Sequence, residues 1–238
     1  MKGKIQGSFV KKVHVLKKLI CLCYFKIKSE KKDGYEALIE SLSDYVSSSG
    51  KKNLEERLAA STLLYTALCY LKNRGEIENV GVLKKGEHGK PFLDGGDAKI
   101  SISHSDGGVA LAVSKDREIG VDIENEIGPE RAERLEKRFF KEEKLSENTL
   151  ENATLPKKIG GENVKSYSLE NGELVSEKFL PTDGSFTSKW TVCEAIMKCD
   201  GRGFSALHDI STLAEKMEII SFIRESGGRK TYISIAHG

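Results

Sequence analysis

Two stretches near the start of the chain repeat apolar residues every three or four positions. Tyr35, Leu38, Ile39, Leu42 and Tyr45 make the first, and their spacing predicts a helix with one apolar face. Ser47, Ser48, Ser49 and Gly50 interrupt it. Leu54, Leu58, Leu64, Leu68 and Leu71 make the second, predicting a long helix over residues 54–72 that Gly75 ends. Residues 19–27, ahead of both, are rich in β-formers and predict a strand.

The period then shortens. Residues 100–103, 109–114 and 120–124 are runs of β-branched and small residues, separated by Asp106-Gly107-Gly108 and Lys115-Asp116-Arg117, and they predict three short strands. Helical spacing returns over residues 131–145. It is lost from 146 to 188, where glycine, asparagine, serine and charged residues predict a loop-rich, hairpin-bearing insertion. A helix follows over residues 190–198, and closing strands over 219–223 and 231–235. The order strand, helix, helix, strands, helix, helix, strands predicts an α+β protein of two similar halves, residues 1–115 and 116–238, rather than an alternating parallel sheet.

Bulk composition narrows the class without naming a chemistry. With 38% hydrophobic and 31% charged residues and 4 prolines, the chain has the composition of a soluble globular protein. A net charge of +2 argues against a nucleic-acid binder, which needs a strong basic excess. Ten lysines against the single acid Glu30 lie in residues 1–32. That is either a solvated edge or a place to meet an anionic ligand or acidic partner. The five cysteines, Cys21, Cys23, Cys69, Cys193 and Cys199, show no C-x-x-C pair, so neither a disulfide framework nor a zinc site is indicated. The apolar run at 19–25 is too short for a membrane span. Free thiols and the lack of a span predict a cytoplasmic protein with no membrane partner.

Four local patterns carry candidate chemistry. In Gly120-Val121-Asp122-Ile123-Glu124 two carboxylates stand at i and i+2 on a strand and share a face. Such a pair occurs on solvent-facing edges, but it also suits a hard, oxygen-preferring cation such as Mg²⁺. In Trp190-Thr191-Val192-Cys193-Glu194-Ala195-Ile196-Met197-Lys198 an aromatic, a carboxylate and an amine recur at spacing four on one helical stripe. Ile102-Ser103-His104-Ser105 ends a strand in hydroxyl, imidazole and hydroxyl, a set able to donate to phosphate. Gly89-Lys90-Pro91-Phe92 is a turn whose lysine is fixed by the following proline.

Taken in order, and with Arg138-Phe139-Phe140, Gly201 and Gly203, these pieces resemble the 4′-phosphopantetheinyl transferase superfamily in its longer, pseudo-dimeric class. The resemblance spans residues 89–204. It implies two α+β halves related by a pseudo-twofold, with coenzyme A as substrate between them and a monomeric state. By carry-over, Asp122, Glu124 and Glu194 hold Mg²⁺. Lys198 neutralises the pyrophosphate, Lys90, Pro91 and Ser103 border the adenine nucleotide, and His104 meets the 3′-phosphate. The acceptor implied is a serine of an apo acyl or peptidyl carrier protein of fatty-acid, polyketide or peptide synthesis. Asp122, Glu194 and Lys198 are then the catalytic set, with Glu194 taking the serine proton.

The chain departs from that pattern in three places. Cys193 stands where a lysine is usual, so either a cation near the phosphates is absent or the thiol packs as a small apolar residue. Glu56 stands where an arginine commonly binds the 3′-phosphate, leaving Arg57 beside it as the nucleotide anchor. The stretch between Phe140 and Trp190 is longer than the family's. These departures leave two rivals, a non-catalytic binder of coenzyme A or carrier protein and a different Mg²⁺-dependent phosphotransferase.

Overall fold

The computed structural model describes residues 34–48, 54–105, 108–139, 158–159, 162–163, 167–170, 173–176, 180–226 and 228–238. The strand expected at 19–27 and the lysine-rich N-terminus lie outside them. The two amphipathic helices form as expected: α1 (Glu36–Ser47) and α2 (Leu54–Asn73). Leu38, Leu42 and Val46 line one side of α1 at spacing four. Leu38 and Leu42 join Leu64, Tyr65 and Leu68 of α2 in a core that extends to Leu83, Leu93 and Ile100.

Two antiparallel hairpins cover that core: β1 (Val82–Lys85) with β2 (Pro91–Asp94), and β3 (Lys99–Ser105) with β4 (Gly108–Ser114). The first has too few apolar positions to announce itself as strands, and the turn at Gly89-Lys90 is its visible part. β5 (Ile119–Asn125) follows, then α3 (Pro129–Phe139), which opens on a proline at the position where a missing N–H costs nothing. The rest of the helix expected to reach residue 145 lies outside the described residues.

Within the expected insertion, β6 (Lys158–Ile159) pairs with β7 (Glu162–Asn163), and β8 (Tyr167–Glu170) with β9 (Glu173–Ser176). Its last residues are not loop. Leu180–Pro181 forms β10 at a sheet edge, and the next helix, α4 (Phe186–Asp200), starts four residues before the expected Trp190. The Ser185 side chain caps that start by accepting from the Ser188 N–H. Buried Thr187 and Ser188 hide the helix from an apolar-period reading.

A 3₁₀ turn (Gly203–Asp209) and the short α5 (Ile210–Ala214) lead into β11 (Glu218–Ser226) and β12 (Arg229–His237). The main sheet is antiparallel in the order β10-β11-β12-β5. α4 packs on it, and Val192, Cys193, Ile196, Ile210, Ile219 and Ala236 form a second core. The architecture is therefore mixed α+β with antiparallel sheets. Among the described residues no helix is long and apolar enough to cross a membrane.

Candidate active site

β5 is the strand on which the site is built. One edge is hydrogen-bonded to β12, in a register that sets Asp122 opposite Ser234 and Glu124 opposite Tyr232. The other edge meets β3 through side chains. The Val121 N–H donates to Ser101 Oγ at 3.0 Å and the Ile123 N–H to Ser103 Oγ at 3.4 Å. Serines at 101, 103 and 105 share one face of β3 because strand side chains alternate. Their hydroxyls stand where carbonyls would stand in an ordinary ladder, so they can also serve the β5 carboxylates. Ser103 donates to Asp122 Oδ1 at 2.8 Å, and Ser105 to Glu124 Oε1 at 2.5 Å.

α4 supplies the opposing side chains. Gly120 lets β5 lie directly on it: a Cβ there would stand 2.0 Å from the Ala195 carbonyl oxygen and 2.4 Å from the Cys199 nitrogen. Two residues beyond that crossing, Asp122 faces Lys198 and Glu194. Lys198 Nζ donates to Asp122 Oδ1 at 2.5 Å and to Ser103 Oγ at 2.8 Å, and lies 3.5 Å from Glu194 Oε2. Ser103 thus uses its full capacity, one donor and two acceptors. Gly201, in the left-handed conformation at φ 90°, ends the helix just past this cluster.

Burial sets the electrostatics. It pushes the Glu194 carboxyl up to about 7, with the Asp122 charge adding to the effect and Lys198 opposing it. Asp122 is also raised, chiefly by burial, against the pull of Lys198 and Ser103. Glu124 is bonded by Ser105 and by Arg131 Nη2 at 2.9 Å, and its charge adds to the rise of Asp122. As the side chains stand, no group of three His, Cys, Asp or Glu among the described residues is gathered to hold a metal ion.

Other expected residues fall elsewhere. Lys90 Nζ donates to Glu118 Oε2 at 2.7 Å and to the Cys199 carbonyl at 3.0 Å, pinning the β1–β2 turn to the last turn of α4. Pro91, next to it, opens β2 opposite Lys85. His104 leaves β3 on the face opposite Ser103 and Ser105, and its Nδ1 lies 3.0 Å from Glu56 Oε2. Arg57 has its own partners. The guanidinium donates to the Tyr45 carbonyl at 2.8 Å and to Ser48 Oγ at 2.9 Å, and lies 4.8 Å from the Tyr45 ring centroid. A cation at the end of α1 satisfies its last carbonyls, so Arg57 ties α1 to α2.

Cys193 is 0% exposed within the second core. Burial, together with the Glu194 charge, pushes its thiol far up. It is the small apolar residue of the two alternatives, and the position offers no cation an outlet to phosphate. Trp190 is likewise buried and packs on Phe139 with ring centroids 5.4 Å apart. Phe139 in turn stacks on the exposed Phe204 at 5.2 Å.

Ser101 and Arg131 complete the site without having been singled out as parts of it. In sequence Ser103 and Ser105 read, with His104, as a set of phosphate donors rather than, with Ser101, as the joint between β3 and β5. No protein-family model matches the chain, and no curated protein matches it significantly.

Proposed function

We propose that the chain is a phosphopantetheinyl transferase, moving the 4′-phosphopantetheine arm of coenzyme A to a serine of an apo acyl or peptidyl carrier protein. In this reading the α1–α2 half and the α4 half are pseudo-twofold partners, and coenzyme A lies across the β3–β5 joint. One observation carries most of the weight: Lys198 and Glu194 on α4 converge with Ser103 on buried Asp122. A carboxyl near neutrality beside an ammonium is a proton acceptor and a phosphate clamp in one place.

Asp122, Glu124 and Glu194 are oxygen donors of the kind a hard cation takes, although as the side chains stand Lys198 Nζ, not a gathered carboxylate triad, meets Asp122 and Glu194. Asp122, Glu124 and Glu194 would hold Mg²⁺, which when bound offsets charge on the pyrophosphate. The chain's own residues do the rest. The carrier serine Oγ forms a bond to the β-phosphorus of coenzyme A as the bond from that phosphorus to the bridging oxygen breaks. Adenosine 3′,5′-bisphosphate leaves with that oxygen. The serine proton passes to the Glu194 carboxylate, whose burial makes it a better proton acceptor than an ordinary glutamate. Lys198 neutralises the charge that grows on the departing phosphate.

The test is intact-mass spectrometry of a panel of apo carrier proteins incubated with the chain, coenzyme A and Mg²⁺. A gain of one phosphopantetheine arm is expected, lost in Glu194→Gln and Lys198→Ala. Coenzyme A binding with no gain on any carrier would make the chain a binder instead, and no binding at all would end the reading.

A further inference from the structure

No side chain of α3 is buried, yet its residues are sorted by face. At about 100° per residue, Ala132, Leu135 and Phe139 fall on one side, and they are the half-buried ones. Arg131, Arg134 and Arg138 fall within about 60° of one another along one edge of that side. None of the acids Glu130, Glu133 and Glu136 comes between them and the apolar residues. Lys137, on the far side, is paired with Glu133, whereas Arg134 and Arg138 are exposed and make no ion pair among the described residues. The arginine edge starts at the site, because Arg131 Nη2 donates to Glu124 Oε2 at 2.9 Å. It ends on aromatics. The Arg138 guanidinium lies 5.0 Å from the Phe139 ring centroid, and Phe139 stacks on Phe204, which at 57% exposed is the most open large apolar side chain described. Phe139 also packs on Trp190, one turn of α4 before Glu194.

Resting on the phosphopantetheinyl transferase reading, we propose that the arginine edge of α3, with Phe139 and Phe204, is where the acceptor protein docks, and that the segment it takes is acidic and carries an exposed apolar side chain. Guanidiniums grouped without acids between them call for carboxylates on the partner, and their planar forks hold carboxylates better than lysines would. The stacked Phe139 and Phe204 supply the anchor. Aromatic and arginine side chains are the ones that carry most of the energy in protein interfaces, and an aromatic ring already held by its neighbour loses little freedom when it is covered. Position fits the chemistry as well. The seven residues from Arg131 to Arg138 span about 10 Å, so a segment lying along them has one end at the carboxylates and presents its serine there.

Fluorescence anisotropy of labelled apo acyl and apo peptidyl carrier proteins, titrated with the full chain, tests this in the wild type, in Arg134→Glu/Arg138→Glu and in Phe204→Ser. All three substituted side chains are exposed, and thermal melts check that the variants fold. The charge reversal should weaken binding of the carrier by about tenfold and flatten its dependence on salt, and Phe204→Ser should weaken it by about fivefold without changing the salt dependence. Calorimetric titration with coenzyme A should give the same affinity in all three proteins. Carrier affinity unchanged in both variants overturns the inference and leaves the transferase reading standing. So does sedimentation showing a wild-type dimer that Phe204→Ser dissociates while carrier binding is kept, since a second copy of the chain then covers the patch. No binding of either carrier by the wild type also overturns it, and the transferase reading is then judged by arm transfer alone.

Discussion

Glu194→Gln should abolish most of one pH-dependent component of stability. The carboxyl is raised from 4.5 to about 7, so the folded state favours its neutral form. Its contribution is complete below 4.5 and is lost as pH rises through about 7. At about 1.4 kcal/mol per pH unit, that interval is worth about 3 kcal/mol. The side chain keeps 23% of its exposure, and solvent screening trims the figure to about 2–3 kcal/mol. For a domain of this size that is a melting-temperature change of about 5–10 °C. Glutamine has nearly the same shape and no proton to lose, so the variant should overtake the wild type as pH rises from 5 to 8. His237, held below its ordinary value by burial, acts in the opposite sense, since its contribution is lost as pH falls. The readout is therefore the difference in melting temperature between variant and wild type at each pH. A difference that stays flat from pH 5 to 8 would refute a neutral, buried Glu194.

Gly120→Ala should destabilise by about 3 kcal/mol or more, because the new methyl meets helix backbone and cannot be relieved by a rotamer change; urea unfolding checks it, and a cost near zero would mean that β5 does not sit on α4 as described. Cys193→Lys should cost about 3–5 kcal/mol and bring no gain in kcat/KM, since it buries an unpaired ammonium; a stable and faster variant would restore the missing-cation idea. Lys198→Met should push Glu194 still higher, because Lys198 holds it down, whereas Asp122→Asn should lower it; ¹³C NMR titration of the Glu194 carboxyl reads both signs, and the reverse order would break the described coupling. Millimolar Mg²⁺ should raise the melting temperature at pH 8 in the wild type and less in Asp122→Ala; no rise in the wild type would remove the metal from the proposal.

Much of the site was legible because its parts are local. Asp122 and Glu124 share a strand face, and Glu194 and Lys198 share a helix stripe, at spacings that need no tertiary knowledge. What was not legible depends on which element each side chain meets. Arg57 reads as a free base near the nucleotide until α1 supplies a carbonyl end for it to close. His104 stands between two serines in sequence but leaves the strand on the other face, toward Glu56. Cys193 precedes Glu194, yet one position around a helix is enough to move a side chain from the site to the core. α4 itself was read as starting late because Thr187 and Ser188 are buried for their hydrogen bonds, Thr187 Oγ1 accepting from the Ile127 N–H at 2.9 Å.

The β3–β5 joint explains why these residues can act together. A ladder of backbone hydrogen bonds across it would leave the strand's hydroxyls with nothing to do. Here the hydroxyls make the joint, so the same Ser103 that accepts from the Ile123 N–H also orients Asp122 and accepts from Lys198. Shifting β5 by one residue along β3 would break the joint and turn the carboxylates to the opposite face at once. The helix side is held as tightly, by the contact at Gly120 that leaves no room for a methyl. Asp122, Glu194 and Lys198 are therefore positioned by strand and helix backbone rather than by loops, which is the rigidity that phosphoryl transfer requires of groups that must orient a nucleophile and a leaving phosphate.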